Sequence, residues 1–256
     1  MNDLEPVRFS RLKLFSKSAA HYAAGYSEET GAMRKGTAIH SFMIGDGDRV
    51  KVYSGKRDKR SKAFQEFLEG NPDCDILSPR EMKDVSGMRR SLDSHPRALG
   101  LLDGIREERV SWEIGGRSCA GTPDVVHVDR ATGRKRIVEL KSGVSSKPEL
   151  FLWQARKMHY ASQLSWYAQG LELSMAYAPG PVVEQYIVAV ESTAPYPVTV
   201  FRVDDSMRRR GERQCRLWFE QLLICERTGH YPGYVENDVD WVDDDNELEW
   251  EDEAAA

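Results

Sequence analysis

Between Gly121 and Gly143 the chain reads GTPDVVHVDRATGRKRIVELKSG, two runs of β-branched and apolar residues on either side of a Thr-Gly turn. Runs of this kind are strand signals, and DRATGRK between them is a natural hairpin turn. The alternating stretch VSWEIGG precedes them and turns at Gly115-Gly116. It predicts a first strand from Val110, with SCAGTPDVVHVD as the second and RKRIVELKS as the third. A long amphipathic helix is predicted over KPELFLWQARKMHYASQLSWYAQGLELSM. Two more strands, PVVEQYIVAVES and YPVTVFRVD, follow it, and a last helix, SMRRRGERQCRLWFEQLLICERTG, ends at Gly229. The segment before the strands is helical in pattern. FSRLKLFSKSAAHYAAG has Ser10 as its N-cap, RKGTAIHSFMIG begins near Thr37, and Pro79 to Leu101 comes after a basic loop. Helices, a three-strand meander, a helix, two strands and a helix make a central mixed sheet flanked by helices, in the α/β (α+β) class.

A single domain is expected over residues 1–235, with a helical N-terminal part at 8–105 and a sheet-containing core at 108–235; an acidic tail occupies 236–256. The formal charge of −5 hides an asymmetry, because eleven acidic and no basic residues lie from Glu236 onward. The preceding 235 residues carry 36 basic against 30 acidic groups, a balance that permits a polyanionic partner. The tail reads as a solvated segment in which Trp241 and Trp250 offer contacts to a basic surface. No apolar run approaches the roughly 18 residues of a membrane span, so no membrane partner is expected. Cys74, Cys119, Cys215 and Cys225 are scattered, which fits free thiols in a reducing compartment and not an iron–sulfur site.

The chemistry concentrates in the third strand. Alternate side chains of a strand share a face, so Ile137, Glu139 and Lys141 point one way while Val138 and Leu140 point into the core. A hairpin of this length brings Asp124, near the start of the preceding strand, beside Glu139. Two carboxylates this close repel unless a positive charge lies between them. A hard divalent cation such as Mg²⁺, with Mn²⁺ as substitute, suits such a pair together with phosphate oxygens of a substrate. A lysine two positions on offsets charge that builds on a phosphate. The second acid-x-Lys copy, Glu81-Met82-Lys83, falls in a helical pattern and reads as a solvated face. Trp153, Trp166 and Trp218 read as core, and KRDKRSK (Lys56 to Lys62) as a solvated loop able to follow phosphates.

Asp124 after a literal Pro123, then Glu139-Leu140-Lys141 on the next strand, resembles the PD-(D/E)XK nuclease superfamily. GTAIH, with His40, and QLSWY, with Gln163-x-x-x-Tyr167, are similar to its RecB-like branch. More narrowly, SRLKLFSKSAAHY, AMRKGTAIHSFMIG, KAFQEF, GTPDVV, ELKSG and MHYASQLSWYAQGL resemble, in order, phage-type exonuclease VIII. The resemblance implies a restriction-endonuclease-like core and a metal-dependent deoxyribonuclease. Asp124, Glu139 and the Leu140 carbonyl would ligate the metal, and Lys141 would orient or activate the attacking water. His40 would be a further ligand or substrate contact. Gln163 and Tyr167 would line the site, and Glu113 could supply another carboxylate. The implied activity is digestion of linear double-stranded DNA from an end, 5′ to 3′, by a ring-like homo-oligomer in the cytoplasm of a bacterial or phage-infected cell. The product single strand would serve recombination beside a single-strand annealing protein. Two alternatives stand: a single-strand or structure-specific nuclease of the RecB or Cas4 kind, and a non-catalytic DNA-binding or assembly module.

Overall fold

The computed structural model describes residues 5–25, 31–45, 49–177 and 179–234. The acidic tail lies outside the described residues. The chain opens with β1 (Val7–Arg8), α1 (Phe9–Leu12), a 3-10 turn (Lys13–Ser16) and α2 (Ala19–Ala24). Then come α3 (Gly31–Met43), β2 (Val50–Val52), α4 (Lys62–Glu69), β3 (Asp75–Leu77), α5 (Pro79–Asp93) and α6 (Pro96–Leu101). The strand-rich part holds β4 (Ile105–Arg106), β5 (Val110–Ile114), β6 (Arg117–Gly121), β7 (Val125–Val128) and β8 (Lys135–Gly143). α7 (Pro148–Lys157) and α8 (Tyr160–Leu173) lead to β9 (Val182–Glu191), β10 (Val198–Arg202) and α9 (Asp205–Thr228).

Several expected elements are broken, each for a local reason. The first helix divides, and Ser10 lies inside α1; the cap is Ser18, whose hydroxyl accepts from the His21 N–H at 3.3 Å at the head of α2. The 79–101 helix divides before Pro96, whose ring forbids a helical predecessor. The segment 8–105 is not purely helical, since it also supplies β2, β3 and part of β1 and β4. The long helix after β8 breaks at His159, a non-glycine residue at φ 58°. The run SCAGTPDVVHVD is two strands in two different sheets, because Pro123 has no N–H with which to continue the first ladder.

A five-stranded mixed sheet has the order β10-β9-β8-β7-β4, in which only β8 and β9 run parallel. A three-stranded sheet, β1-β6-β5, and a parallel pair, β2-β3, lie beside it. The central strand β8 is buried on both faces, where the sequence suggested one. Ile137, with Ile187 and Ala189 of β9, packs under Leu164 and Trp166 of α8 and Trp218, Phe219 and Leu222 of α9. Val138 and Leu140, with Val188 and Val190, face Ile39 and Met43 of α3 and Val85, Met88 and Leu92 of α5. A strand feeding two apolar layers reads as a near-continuous hydrophobic run, which Ile137 to Leu140 is apart from the Glu139 carboxylate.

α8 and α9 approach closely at Gly211. A Cβ there would collide with the Ala161 carbonyl oxygen and lie 2.6 Å from both its carbon and Ser165 Oγ. Backbone cannot swing aside as a side chain can. Gly211→Ala is therefore expected to cost about 1–3 kcal/mol of overpacking strain, more than the helix propensity gained. Thermal melts should show a fall of roughly 3–10 °C, and an unchanged or raised midpoint would contradict this contact.

Candidate active site

The loop Thr122–Asp124 carries the chain from β6 to β7, and so from one sheet to the next. Asp124 is held where it enters the five-stranded sheet. Its N–H donates to Glu139 Oε1 at 3.1 Å, and its Oδ2 accepts from the Leu140 N–H at 2.7 Å. β7 pairs with β8 only as far as Val125 opposite Val138, so Asp124 takes the ladder position that β7 leaves vacant. Lys141 Nζ donates to Glu139 Oε2 at 2.7 Å and stands 5.3 Å from the centre of the Tyr160 ring. His40, one turn after Gly36 on α3, brings Nδ1 to 3.5 Å from Asp124 Oδ2. Gln163 Nε2 donates to Tyr167 Oη at 3.1 Å, and the Tyr167 ring lies where only Gly121 leaves room.

These contacts set the charges. Burial and the Asp124 charge push the Glu139 carboxyl up to about 7, against the pull of Lys141. Burial works against ionised Asp124 too, but His40, Lys141 and the Leu140 N–H outweigh it and hold that carboxyl below its ordinary value. Burial opposes charge on Lys141, yet the two carboxylates raise its pKa further, so it is an ammonium at neutral pH. His40 is likewise raised, since Asp124 overcomes burial. Tyr167 is raised by burial and by Glu139, and stays a neutral phenol.

A raised Glu139 pKa means that the folded protein holds a proton, between its unfolded value of 4.5 and about 7, that the unfolded chain does not. That stability is complete below 4.5 and is lost as pH rises through about 7. The raised His40 acts in the same direction, whereas Asp124 acts at lower pH with opposite sign. Without metal, stability should fall from pH 5 to pH 8 by up to about 3 kcal/mol from Glu139, and the melting temperature with it. Glu139→Gln should remove most of that slope; an equal slope in the variant would place the effect elsewhere.

The structure thus brings Asp124, Glu139, Leu140, Lys141 and His40 together, with Gln163 and Tyr167 along one side. Glu113 is exposed on β5, opposite Ser118, and no described hydrogen bond or ion pair joins it to the cluster. Trp166 and Trp218 are core, but Trp153 is 63% exposed and the expectation for it is corrected. In KRDKRSK, Arg57 is engaged structurally, pairing with Glu81 at 2.8 Å and donating to the Ile76 carbonyl. Residues missed from sequence are Tyr160, Gln154 and Lys13. Tyr160 lies at i−3 and i−7 from Gln163 and Tyr167, the spacing of one helix face, and that signal was available. Gln154 Nε2 donates to Tyr160 Oη at 3.2 Å. Lys13 is lowered by burial and by the charge of Lys141, a long-range neighbour with no local signature.

The donor set suits a hard divalent cation. Burial, and after it the charge of the neighbouring Asp124, raises the Glu139 carboxyl. In an extended strand a residue's N–H and C=O point to the same side, so the Leu140 carbonyl faces the Asp124 side as its N–H does. Oxygen-only donors of this kind match Mg²⁺ or Mn²⁺ and not a thiophilic ion. Among the described residues no three His, Cys, Asp or Glu side chains are already drawn into a closed cage. An ion would share Asp124 and Glu139 with the Leu140 carbonyl and with substrate.

A carboxylate after Pro123, a second on the adjoining strand and a lysine two residues beyond it are the marks of the PD-(D/E)XK class, on a mixed sheet covered by helices. The chain belongs to the family described as a PDDEXK-like domain of unknown function (DUF3799), whose sequence model matches residues 8–240. No curated protein matches it. Among solved structures it is similar to a candidate exonuclease from Eubacterium rectale. Identity is 12%, covering 91% of this chain and 86% of that one, with a TM-score of 0.64. It also matches a phage-related exonuclease from Haemophilus somnus (14% identity, 88% and 98% coverage, TM-score 0.35). An alkaline exonuclease from Laribacter hongkongensis matches at 14% identity, 75% and 97% coverage and a TM-score of 0.29.

Proposed function

We propose that this chain is a Mg²⁺-dependent deoxyribonuclease that digests linear double-stranded DNA from an end, 5′ to 3′, and leaves single strands for recombination. The observation that carries the reading is the buried pair Asp124 and Glu139 with the Lys141 ammonium held 2.7 Å from Glu139. A divalent cation bound there supplies a Lewis acid for the phosphodiester and lowers the pKa of water. The protein's part is positioning. Lys141, already an ammonium, offsets negative charge that grows on the phosphate and orients the attacking water; it does not begin as a base. His40 holds Asp124 ionised, and Tyr167 with Gln163 walls the site. Arg209, Arg210 and Arg213 of α9 face Arg156 of α7 across a groove, which suits phosphates without reading sequence. A ring-like oligomer acting in the cytoplasm beside a single-strand annealing protein belongs to the same proposal. Among the described residues no helix is long and apolar enough to cross a membrane.

The test is a time course on linear duplex labelled at either the 5′ or the 3′ ends, beside single strand and closed circle, with Mg²⁺ and with chelator. Progressive loss of the 5′ label from linear duplex, an intact circle and arrest by chelator are expected. Cutting of the circle, or equal cutting in chelator, would overturn the proposal.

A further inference from the structure

The face of α7 beside the site is apolar, cationic and open. Leu150, Trp153 and Lys157 are spaced i, i+3 and i+7 and so share one side of the helix. Leu150 is 57% and Trp153 63% exposed, while Phe151 and Ala155 bury the opposite side against Phe201, whose ring stacks on Phe151 at 4.4 Å. A large indole left outside a core that takes the chain's other described tryptophans needs a partner or a use. Lys157 Nζ stands 4.9 Å from its ring centre. Arg156 and Lys157 make no ion pair among the described residues, and the helix's one acid, Glu149, pairs with Lys147 at 3.6 Å. The face adjoins the reaction centre. Gln154, next to Trp153, packs so closely on Gly143 that a Cβ there would lie 3.0 Å from its amide. The same Gln154 donates to Tyr160, whose ring underlies Lys141.

We infer that the Leu150–Trp153–Lys157 face is a positioning site for an unstacked nucleobase at the end of a DNA strand, with Trp153 as the stacking platform and Lys157 on the adjoining phosphate. This rests on the nuclease reading above and deepens it. Charge complementarity selects the occupant: an aromatic plane flanked by unpaired cations matches a base with its phosphate, since every base has a π-face and a neighbouring anion. A tethered end base would hold the first scissile linkage near Lys141, and Trp153 is a positioning residue that does not touch the reacting atoms.

The experiment uses the full chain and linear duplexes with 2-aminopurine at the terminal position of one strand, prepared separately for each strand end. Binding is read in Ca²⁺ and cutting in Mg²⁺. Quenching at one end is expected in the wild type, lost in Trp153→Ala and kept in Trp153→Phe. Cutting efficiency on blunt ends should fall about 5- to 100-fold in Trp153→Ala, with smaller loss in Lys157→Ala. Unchanged quenching and cutting in Trp153→Ala overturns the inference, and so does a change of oligomeric state in sedimentation with DNA binding unaltered, which makes this face a contact between copies. Quenching without cutting by the wild type keeps the stacking site and removes the nuclease reading. Cutting that ignores Trp153 does the reverse, and no binding to any DNA removes both.

Discussion

Lys141→Met is expected to slow DNA cutting by about 10³-fold while leaving DNA affinity within about threefold of wild type. The side chain is nearly enclosed, 13% exposed, with its ammonium on Glu139 and 5.3 Å from the centre of the Tyr160 ring. Methionine keeps most of the volume and removes the charge, and with it the ammonium's contacts to Glu139 and to the ring. The unpaired Glu139 is then a buried carboxyl beside Asp124, but its pKa already stands near 7, so it takes a proton rather than unfolding the strand. The fold therefore survives, and the loss in rate reports the missing cation at the phosphate. A salt bridge of purely structural purpose would behave otherwise, with cutting preserved and the melting point lowered. Rates from single-turnover assays with saturating enzyme, beside anisotropy with a labelled duplex, separate the two. A variant that cuts within tenfold of wild type would take Lys141 out of the chemistry.

The parts of this site that the sequence reveals are those fixed over short distances. Glu139 and Lys141 share a face because a strand alternates, and a hairpin returns Asp124 to Glu139 because a turn of that composition can do little else. What stayed hidden depends on distant segments. Nothing within RIVEL tells that α3 and α5 cover one side of β8 and α8 and α9 the other, so the strand looked half buried. The break at Pro123 was in view, but its consequence, a change of sheet between β6 and β7, needs β1 and β5 to claim β6. Trp153 reads as core within one long helix; the structure breaks that helix at the left-handed His159, and α7 then buries Phe151 and Ala155 and leaves Trp153 outside. Lys13 could not have been found, since its neighbour Lys141 is far along the chain.

Asp124→Asn should lower cutting by about 10³-fold or more and should also move a proton elsewhere. The amide oxygen of asparagine can still accept from the Leu140 N–H, now 2.7 Å from Oδ2, so the loop and the head of β7 keep their place. Only the negative charge goes. One of the two carboxylates able to hold a divalent ion is then neutral, and Mn²⁺ binding should vanish at concentrations that saturate the wild type. His40 supplies the independent readout. With Asp124 present its imidazole is raised above 6.5, because the carboxylate favours the charged ring against burial. With asparagine, burial and Lys141 lower it and only Glu139 still raises it. The midpoint followed by NMR in the metal-free protein should therefore fall. Glu139 should fall as well, since the like charge that raised it is gone. A structural role for Asp124 alone predicts lost stability with the His40 midpoint unmoved. A paired fall in His40 titration and in ion binding, in a variant that still folds, is what an anionic Asp124 at the centre of the site requires.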